Sequence, residues 1–127
     1  MEGRNNANIL VLDRKELVRY TISQILTGGG FSVHESHSKQ SASDIIAQCD
    51  IDIVIYDMGI PKKLGLDVLS DVRRIQPAVK VILIVEQRDL VARTHLTDIS
   101  EINPSFLLVK PFSIESLSAC IENCLVS

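Results

Sequence analysis

Apolar and polar residues follow two different periods along the chain. Five short runs of apolar, β-favouring residues predict strands at 8–12, 31–33, 51–56, 79–85 and 106–109. Between them, apolar residues recur every three or four positions, which predicts helices that each bury one face. This spacing is clearest at 18–26, 68–75 and 114–124, and it is weaker at 40–49 and 89–99. Strands and helices in alternation, with continuously apolar strands, predict a parallel sheet with helices on both faces.

Charged residues stand where three of the predicted strands end. Asp13 and Arg14 follow the first strand, Asp57 follows the third, and Lys110 follows the last, just before Pro111. An unpaired carboxylate is costly inside a buried strand, whereas ligands and reacting groups usually bind at the carboxyl ends of parallel strands. The sequence therefore predicts that these four charged side chains share one edge of the sheet.

The composition indicates an ordinary globular domain. The chain has 127 residues, of which 46% are hydrophobic and 23% charged, and this is enough for one domain. A net charge of −3 argues against a nucleic-acid partner. We expect a cytoplasmic protein without a membrane partner, because the first 13 residues lack signal-peptide features and no apolar run reaches about 18 residues. The three cysteines have no spacing typical of disulfides or zinc.

The glycine run at 28–30 is predicted to end a helix. It follows a helix and precedes a strand, the reverse of a phosphate-binding turn. The loop after the first strand carries Asp13, Arg14, Lys15 and Glu16 instead of glycine or hydroxyl residues, so we predict no flavin or nucleotide cofactor. No nucleophile and base pair is visible, and we do not expect an enzyme.

Asp13, Asp57 and the sequence VKPF at 109–112 together resemble the receiver domain of bacterial two-component response regulators. The resemblance covers nearly the whole chain, which we treat as one receiver-like domain over residues 1–127. It implies a doubly wound, five-stranded parallel sheet of flavodoxin-like order 2-1-3-4-5, with helices on both faces. It also implies phosphorelay signal transduction, with a histidine kinase or phosphotransfer protein as the phosphoryl donor.

The resemblance assigns roles to four positions. Asp57 matches the phosphoacceptor, and Lys110 matches the lysine that grips the phosphate, before a Lys–Pro bond that is often cis. Asp13 matches the first of two acids that hold Mg²⁺ with the phosphoacceptor, and Gly59 matches a position that gives only its backbone carbonyl to the metal. Oxygen ligands suit Mg²⁺, and phosphoryl transfer needs the charge on the moving group to be neutralised.

Three positions depart from the family pattern. Arg14 stands where the second acid of the metal site is expected. Val85 replaces a serine or threonine whose hydroxyl meets the phosphoryl group, and Leu107 replaces an aromatic residue that reorients when the hydroxyl moves. The metal site, the hydroxyl that senses the phosphoryl group and the aromatic relay are therefore all predicted to be altered.

Arg14 makes Mg²⁺ binding doubtful. The charges of Asp13, Asp57, Arg14 and Lys110 sum to zero, whereas three acids and a lysine would attract a dication. Two unit charges at about 4 Å interact by roughly 4 kcal/mol near an effective dielectric constant of 20. We hypothesise that Arg14 pairs with Asp57 or Asp13 in place of the ion. If Arg14 instead turned outward, the metal would still lack one carboxylate.

Two functions stay open from the sequence. The first is a phosphorelay receiver with Asp57 as the phosphoacceptor, and the second is a pseudo-receiver that binds partners without phosphorylation. In both, an output domain or partner protein is expected on the face formed by helix 4, strand 5 and helix 5. The segment between Val85 and Lys110 is a few residues longer than is usual for the family, which predicts a fourth helix that is irregular or shifted. Candidate contacts, equally explained as a solvated helix face, are Arg88, Asp89, Arg93, Asp98 and Glu101. His95 is expected at the surface or half-buried.

Overall fold

The computed structural model describes residues 7–126, and over this range the chain forms a five-stranded parallel sheet. The strand order is β2-β1-β3-β4-β5, which confirms the predicted flavodoxin-like order. The strands are β1 (Asn8–Leu12), β2 (Ser32–Ser36), β3 (Ile53–Asp57), β4 (Lys80–Val85) and β5 (Phe106–Val109). The helices are α1 (Glu16–Gly28), α2 (Lys39–Gln48), α3 (Lys62–Ile75), α4 (Arg93–Ile102) and α5 (Ile114–Val126).

The sheet buries both of its faces, as the continuously apolar strands predict. Successive side chains of a strand point to opposite faces, so each central strand supplies both layers of the core. The layer under α1 and α5 contains Ile9, Val11, Ile53, Ile55, Ile82 and Ile84. The layer under α2, α3 and α4 contains Leu10, Leu12, Val54, Tyr56, Val81 and Leu83. Full burial of one such side chain contributes about 1.5–3 kcal/mol.

The second strand lies further along the chain than predicted. The expected run was 31–33, but β2 is Ser32–Ser36, because its backbone pairs in register with β1 from Asn8 to Leu12. This is an edge strand, and polar side chains are tolerated there since only one side of the strand is paired. The apolar pattern alone therefore predicts an end for this strand that is too early in the chain.

Caps define the start of α5 and the end of α1, and the second of these confirms the predicted helix stop at 28–30. Ser113 caps α5, with the Ser116 amide donating to its hydroxyl at 3.0 Å, and Glu115 lies in the first turn. Gly29 caps the end of α1, and Gly30 follows with a φ of 93°. Glycine adopts that left-handed conformation without steric cost, which explains why the run stops the helix.

The fourth helix is irregular, as predicted, although its bounds differ from 89–99. A short 3₁₀ turn over Gln87–Leu90 precedes α4, which ends at Asn103 in a left-handed conformation with a φ of 52°. The guanidinium of Arg73 donates to the backbone carbonyl of Asn103 at 2.8 Å and so holds this end against α3.

No helix among residues 7–126 is long and apolar enough to cross a lipid bilayer. The prediction that the chain lacks a signal segment rests partly on residues 1–6, which lie outside the described residues.

Tyr56 packs directly beneath α3 at Gly65. Its side chain is fully buried, and burial raises the pKa of its hydroxyl to about 12. A Cβ atom added at Gly65 would overlap both the hydroxyl and the ring of Tyr56. The approach of α3 to β3, and with it the loop after Asp57, depends on this glycine.

We predict that Gly65→Ala lowers the free energy of unfolding by about 1–3 kcal/mol, the usual cost of overpacking a core. Urea denaturation measures the change. The matched control is Gly28→Ala, also in a helix, where an added Cβ meets nothing within 4 Å. Equal stability of the two variants would contradict this account of the α3 contact.

Candidate functional site

The carboxyl edge of the sheet brings together three of the four predicted charged residues. Asp57 is the last residue of β3, while Asp13 and Lys110 directly follow β1 and β5. Lys110 Nζ lies 2.7 Å from Asp57 Oδ2, and both side chains are largely buried. The other oxygen of Asp57 accepts a hydrogen bond from the Gly59 amide at 2.7 Å. A short, partly desolvated ion pair therefore stands at the centre of this edge.

Asp13 is buried beside Asp57 without a cation of its own. Its Oδ1 accepts from the Lys15 amide at 2.8 Å, while its buried Oδ2 has no hydrogen-bond partner among residues 7–126. Burial raises the pKa of Asp13, and the nearby Asp57 carboxylate adds to this effect, against the opposing influence of the Lys15 amide and Lys110. The two carboxylates lie close together, and one of them has an oxygen without a hydrogen-bond partner in the described part of the chain. A cation bound beside them would stabilise this arrangement.

Lys110 stays charged in this environment. Burial disfavours its ammonium, but the hydrogen bond and charge of Asp57, with smaller contributions from Asp13 and Glu86, outweigh burial and raise the pKa of Lys110. The Lys110–Pro111 peptide bond is cis, which confirms the prediction, and the Lys110 amide donates to the Val85 carbonyl at 2.8 Å. The ammonium is therefore held toward the carboxylates from a fixed backbone.

The predicted ion pair of Arg14 is wrong. The Arg14 side chain is exposed and makes no ion pair or hydrogen bond with the described part of the chain. The turn after β1 is fixed by the bond between Asp13 and the Lys15 amide, and Lys110 already neutralises Asp57. A guanidinium in water keeps its full hydration, so nothing draws it inward.

A different arginine contacts the site. Arg19 on α1 donates from Nη1 to the backbone carbonyl of Asp13 at 2.7 Å, and its Nε lies 3.6 Å from Glu35 Oε1. Its side chain is only 11% exposed. It therefore braces the loop after β1 from the helix side. No local pattern in the sequence indicates this role, which depends on how α1 packs across β2.

Gly59 lies close to Asp57. A Cβ atom at this glycine would come within 2.9 Å of Asp57 Oδ1, so the loop after β3 leaves no space for a larger residue without adjustment. Its backbone amide is used by Asp57, as described above. The contribution of its carbonyl to a metal stays a prediction.

Val85 and Leu107 lie where the altered positions were expected. Val85 ends β4, is fully buried, and lines a pocket of about 300 Å³ together with Asp57, Gly59 and Lys110. It offers only methyl groups to this space. Leu107 on β5 is 41% exposed. Neither side chain can form a hydrogen bond.

Asp89 and His95 add an unexpected pair to the same pocket. Asp89 was predicted as a partner contact, but it is buried: its Oδ2 accepts from the Glu86 amide at 2.8 Å, and its Oδ1 lies 2.9 Å from His95 Nδ1. Both residues line the pocket with Asp57. The spacing of Glu86 and Asp89 is typical of a capping box, which is the signal in the sequence that indicates an inward-facing Asp89.

Two further predicted contact residues are engaged within the domain. Lys62, at the start of α3, lies 3.1 Å from Asp98 and 3.0 Å from Glu101 on α4. Single exposed ion pairs contribute little stability, but two carboxylates on one ammonium fix the distance between the helices more firmly. Asp98 and Glu101 thus hold α4 to α3 in this structure.

The fold and this edge of the sheet define a class: flavodoxin-like signalling domains with paired carboxylates and a lysine before a cis proline. A family model, that of the response regulator receiver domain, matches residues 9–122, and the chain belongs to this family. Domains of the family act in two-component signalling, interact with histidine kinases and output domains, and generally bind Mg²⁺.

Known proteins agree with this assignment. The chain is 32% identical over 117 residues to the transcriptional regulatory protein PdtaR of Mycobacterium tuberculosis, covering 90% of this chain and 54% of that protein. It thus spans about half the length of this relative. A response regulator receiver domain protein from Clostridium thermocellum is 30% identical, with a TM-score of 0.75 and 94% of each chain covered. A putative response regulator from Chloroflexus aurantiacus, 21% identical, shares the fold with a TM-score of 0.79 over 96% of this chain and 99% of that one.

The raised pKa of Asp13 predicts how stability depends on pH. Because the folded state binds the proton more tightly than the unfolded state, stability falls as pH rises through the interval between the two pKa values. Asp13→Asn removes this loss. In metal-free buffer at pH 7 we expect its free energy of unfolding, from urea denaturation, to exceed the wild-type value by about 1 kcal/mol.

The gain should vanish below pH 3.8, the ordinary pKa of an aspartate, where Asp13 is protonated in both states. The matched control is Asp44→Asn on α2, an exposed aspartate, which should change stability by less than about 0.5 kcal/mol. A gain from Asp13→Asn that is independent of pH would contradict the explanation by charge.

Proposed function

We propose that this receiver domain takes a phosphoryl group on Asp57 in a phosphorelay. The observation that carries the proposal is the 2.7 Å ion pair between Asp57 and Lys110 at the carboxyl edge of the sheet. In the transfer, an Asp57 oxygen bonds to phosphorus while the bond from phosphorus to the imidazole nitrogen of a phosphohistidine breaks, and the imidazole leaves. Lys110 then contacts a phosphoryl oxygen and balances part of the added charge.

We propose that Asp13 and Asp57, with the backbone carbonyl of Gly59, hold Mg²⁺ weakly. The bare, buried oxygen of Asp13 and the all-oxygen donor set fit the ion. Within residues 7–126, however, no three acidic, histidine or cysteine side chains cluster closely enough to hold a metal. When bound, the ion supplies charge neutralisation to the phosphoryl oxygens. Arg14 weakens the site because a carboxylate is missing and a positive charge stands nearby.

A pseudo-receiver is the second candidate function. It is favoured by Lys62, which fixes α4 to α3, together with Val85, which cannot bond to a phosphoryl group. In this function the face of α4, β5 and α5 has one shape and binds its partner without phosphorylation. In both functions we propose this face for an output domain or partner protein, since Leu96 and Leu107 are exposed on it.

The direct test is labelling with acetyl phosphate and Mg²⁺, read by intact mass. We expect the wild-type chain to gain one phosphoryl group and Asp57→Asn to gain none. Asp50→Asn, which alters an exposed aspartate away from the pocket, should label like the wild type. A wild-type chain that stays unlabelled under conditions that label another receiver domain would contradict the proposal and support the pseudo-receiver.

A charge reversal tests the metal site separately. We expect Arg14→Asp to tighten Mg²⁺ binding at least tenfold, measured by titration calorimetry, because it supplies a further carboxylate and removes a repelling charge. Arg74→Asp makes the same charge change on α3 away from the pocket and should leave the Mg²⁺ affinity unchanged. If the two variants bind Mg²⁺ equally, Arg14 is not the obstacle.

A further inference from the structure

We propose that His95, oriented by Asp89, donates a hydrogen bond to a phosphoryl oxygen on Asp57. This inference rests on the proposed phosphorylation of Asp57. It assigns a phosphoryl contact to α4, a helix that supplies none of the three charged groups at the sheet edge. It also gives a function to Oδ1 of the buried Asp89, whose Oδ2 accepts from the Glu86 amide.

The pocket has space for the group and few donors to receive it. Its volume of about 300 Å³ exceeds the space of a single water, roughly 30 Å³, about tenfold. Lys110 and the Gly59 amide each already contact one oxygen of Asp57, and Val85 has no donor. A phosphoryl group brings three peripheral oxygens, so at least one needs a donor from elsewhere in the pocket lining.

Few of the other polar side chains that line the pocket can supply this hydrogen-bond donor. Glu86 and Asp98 are carboxylates and repel a phosphoryl group. Arg88 points to solvent, with its side chain 79% exposed, and pairs with Glu86 at 2.7 Å. Lys15 and His95 are left, and Lys15 is an exposed side chain without a contact that fixes it among residues 7–126.

His95 is the donor that lies against a buried partner, with its own side chain 40% exposed. Its Nδ1 lies 2.9 Å from the buried Asp89, whose other oxygen is held by the Glu86 amide. With Nδ1 facing Asp89 at ion-pair distance, Nε2 is the nitrogen left to contact a ligand, and no residue among 7–126 bonds to it. In an imidazolium each ring nitrogen is a donor, so Nδ1 can face the Asp89 carboxylate while Nε2 donates to a phosphoryl oxygen.

The experiment uses beryllofluoride with Mg²⁺, a phosphoryl mimic whose three fluorines occupy the positions of the three oxygens. Fluorine NMR of the wild-type adduct should resolve three bound signals. In His95→Ala we expect one signal to shift while the other two stay, and the affinity for beryllofluoride to fall about tenfold, the size of one charge-assisted hydrogen bond. His95→Gln, which keeps an amide donor, should restore part of the affinity.

Further variants test the alternatives. Asp89→Asn should shift the same fluorine signal as His95→Ala, because Asp89 acts only through the orientation of His95. His37→Ala, at an exposed histidine that does not line the pocket, and Lys15→Ala should leave all three signals in place. A shift in Lys15→Ala but not in His95→Ala overturns the assignment in favour of Lys15. Movement of all three signals in His95→Ala indicates a structural role and also overturns it.

The outcomes separate this inference from the proposed function. If the wild-type chain forms the adduct on Asp57 and His95→Ala gives an unchanged spectrum and affinity, only the role of His95 is refuted. If the wild-type chain forms no adduct at all, the phosphoacceptor role of Asp57 fails and the role of His95 fails with it.

Discussion

The ion pair between Lys110 and Asp57 is the interaction on which the site depends. Parallel strands place a carboxylate from β3 and an ammonium from the end of β5 at one edge, with β4 between them. Each charge would be costly to bury alone, and the pair remains favourable because both groups keep a short contact. With Arg14 outside, Asp13, Asp57 and Lys110 carry a formal net charge of −1, so the pocket attracts cations more than the sequence indicated.

This charge balance explains the behaviour of the neighbouring groups. Asp13 lacks a cation, and burial together with Asp57 raises its pKa, while Lys110 is drawn toward its charged form by the same carboxylates. Arg19 binds the backbone carbonyl of Asp13, not its carboxylate, and therefore supports the loop without neutralising the acid. The domain thus holds its two carboxylates in place by backbone contacts, and one buried oxygen of Asp13 has no hydrogen-bond partner among residues 7–126.

The sequence predicted the fold well because the fold depends on patterns that local residues reveal. Continuous apolar strands, helical spacing and the caps at Gly29 and Ser113 each have a local physical cause. The polar edge strand β2 has no such local cause, since its position depends on pairing with β1. In the site, Asp57, Asp13 and Lys110 were predicted together from strand ends, which parallel topology forces to one edge.

The site residues that were predicted wrongly, or not predicted at all, are those whose role depends on where the side chain points. The spacing of residues in the sequence does not determine that direction. Arg14 follows a strand just as Asp13 does, yet its long side chain reaches water, where its charge is best solvated. Asp89 points inward because it accepts the hydrogen bond of the Glu86 amide in the 3₁₀ turn, and His95 lies against Asp89. The direction of each of these side chains is set by competition between hydration and a few local hydrogen bonds, and the outcome depends on tertiary packing.

The position of α4 would determine what a phosphoryl group on Asp57 can change. Lys62 ties α4 to α3 through Asp98 and Glu101, while the contact between His95 and Asp89 links the first turn of α4 to the loop that follows Val85. A hydroxyl switch would act through position 85, but Val85 forms no hydrogen bond, so a signal must reach α4 by another contact. His95 and Asp98 of α4 both line the pocket, so a charge added to Asp57 would act on this helix directly. Movement of α4 would then require both ion pairs of Lys62 to break, so these two contacts oppose the movement together although each is partly solvated.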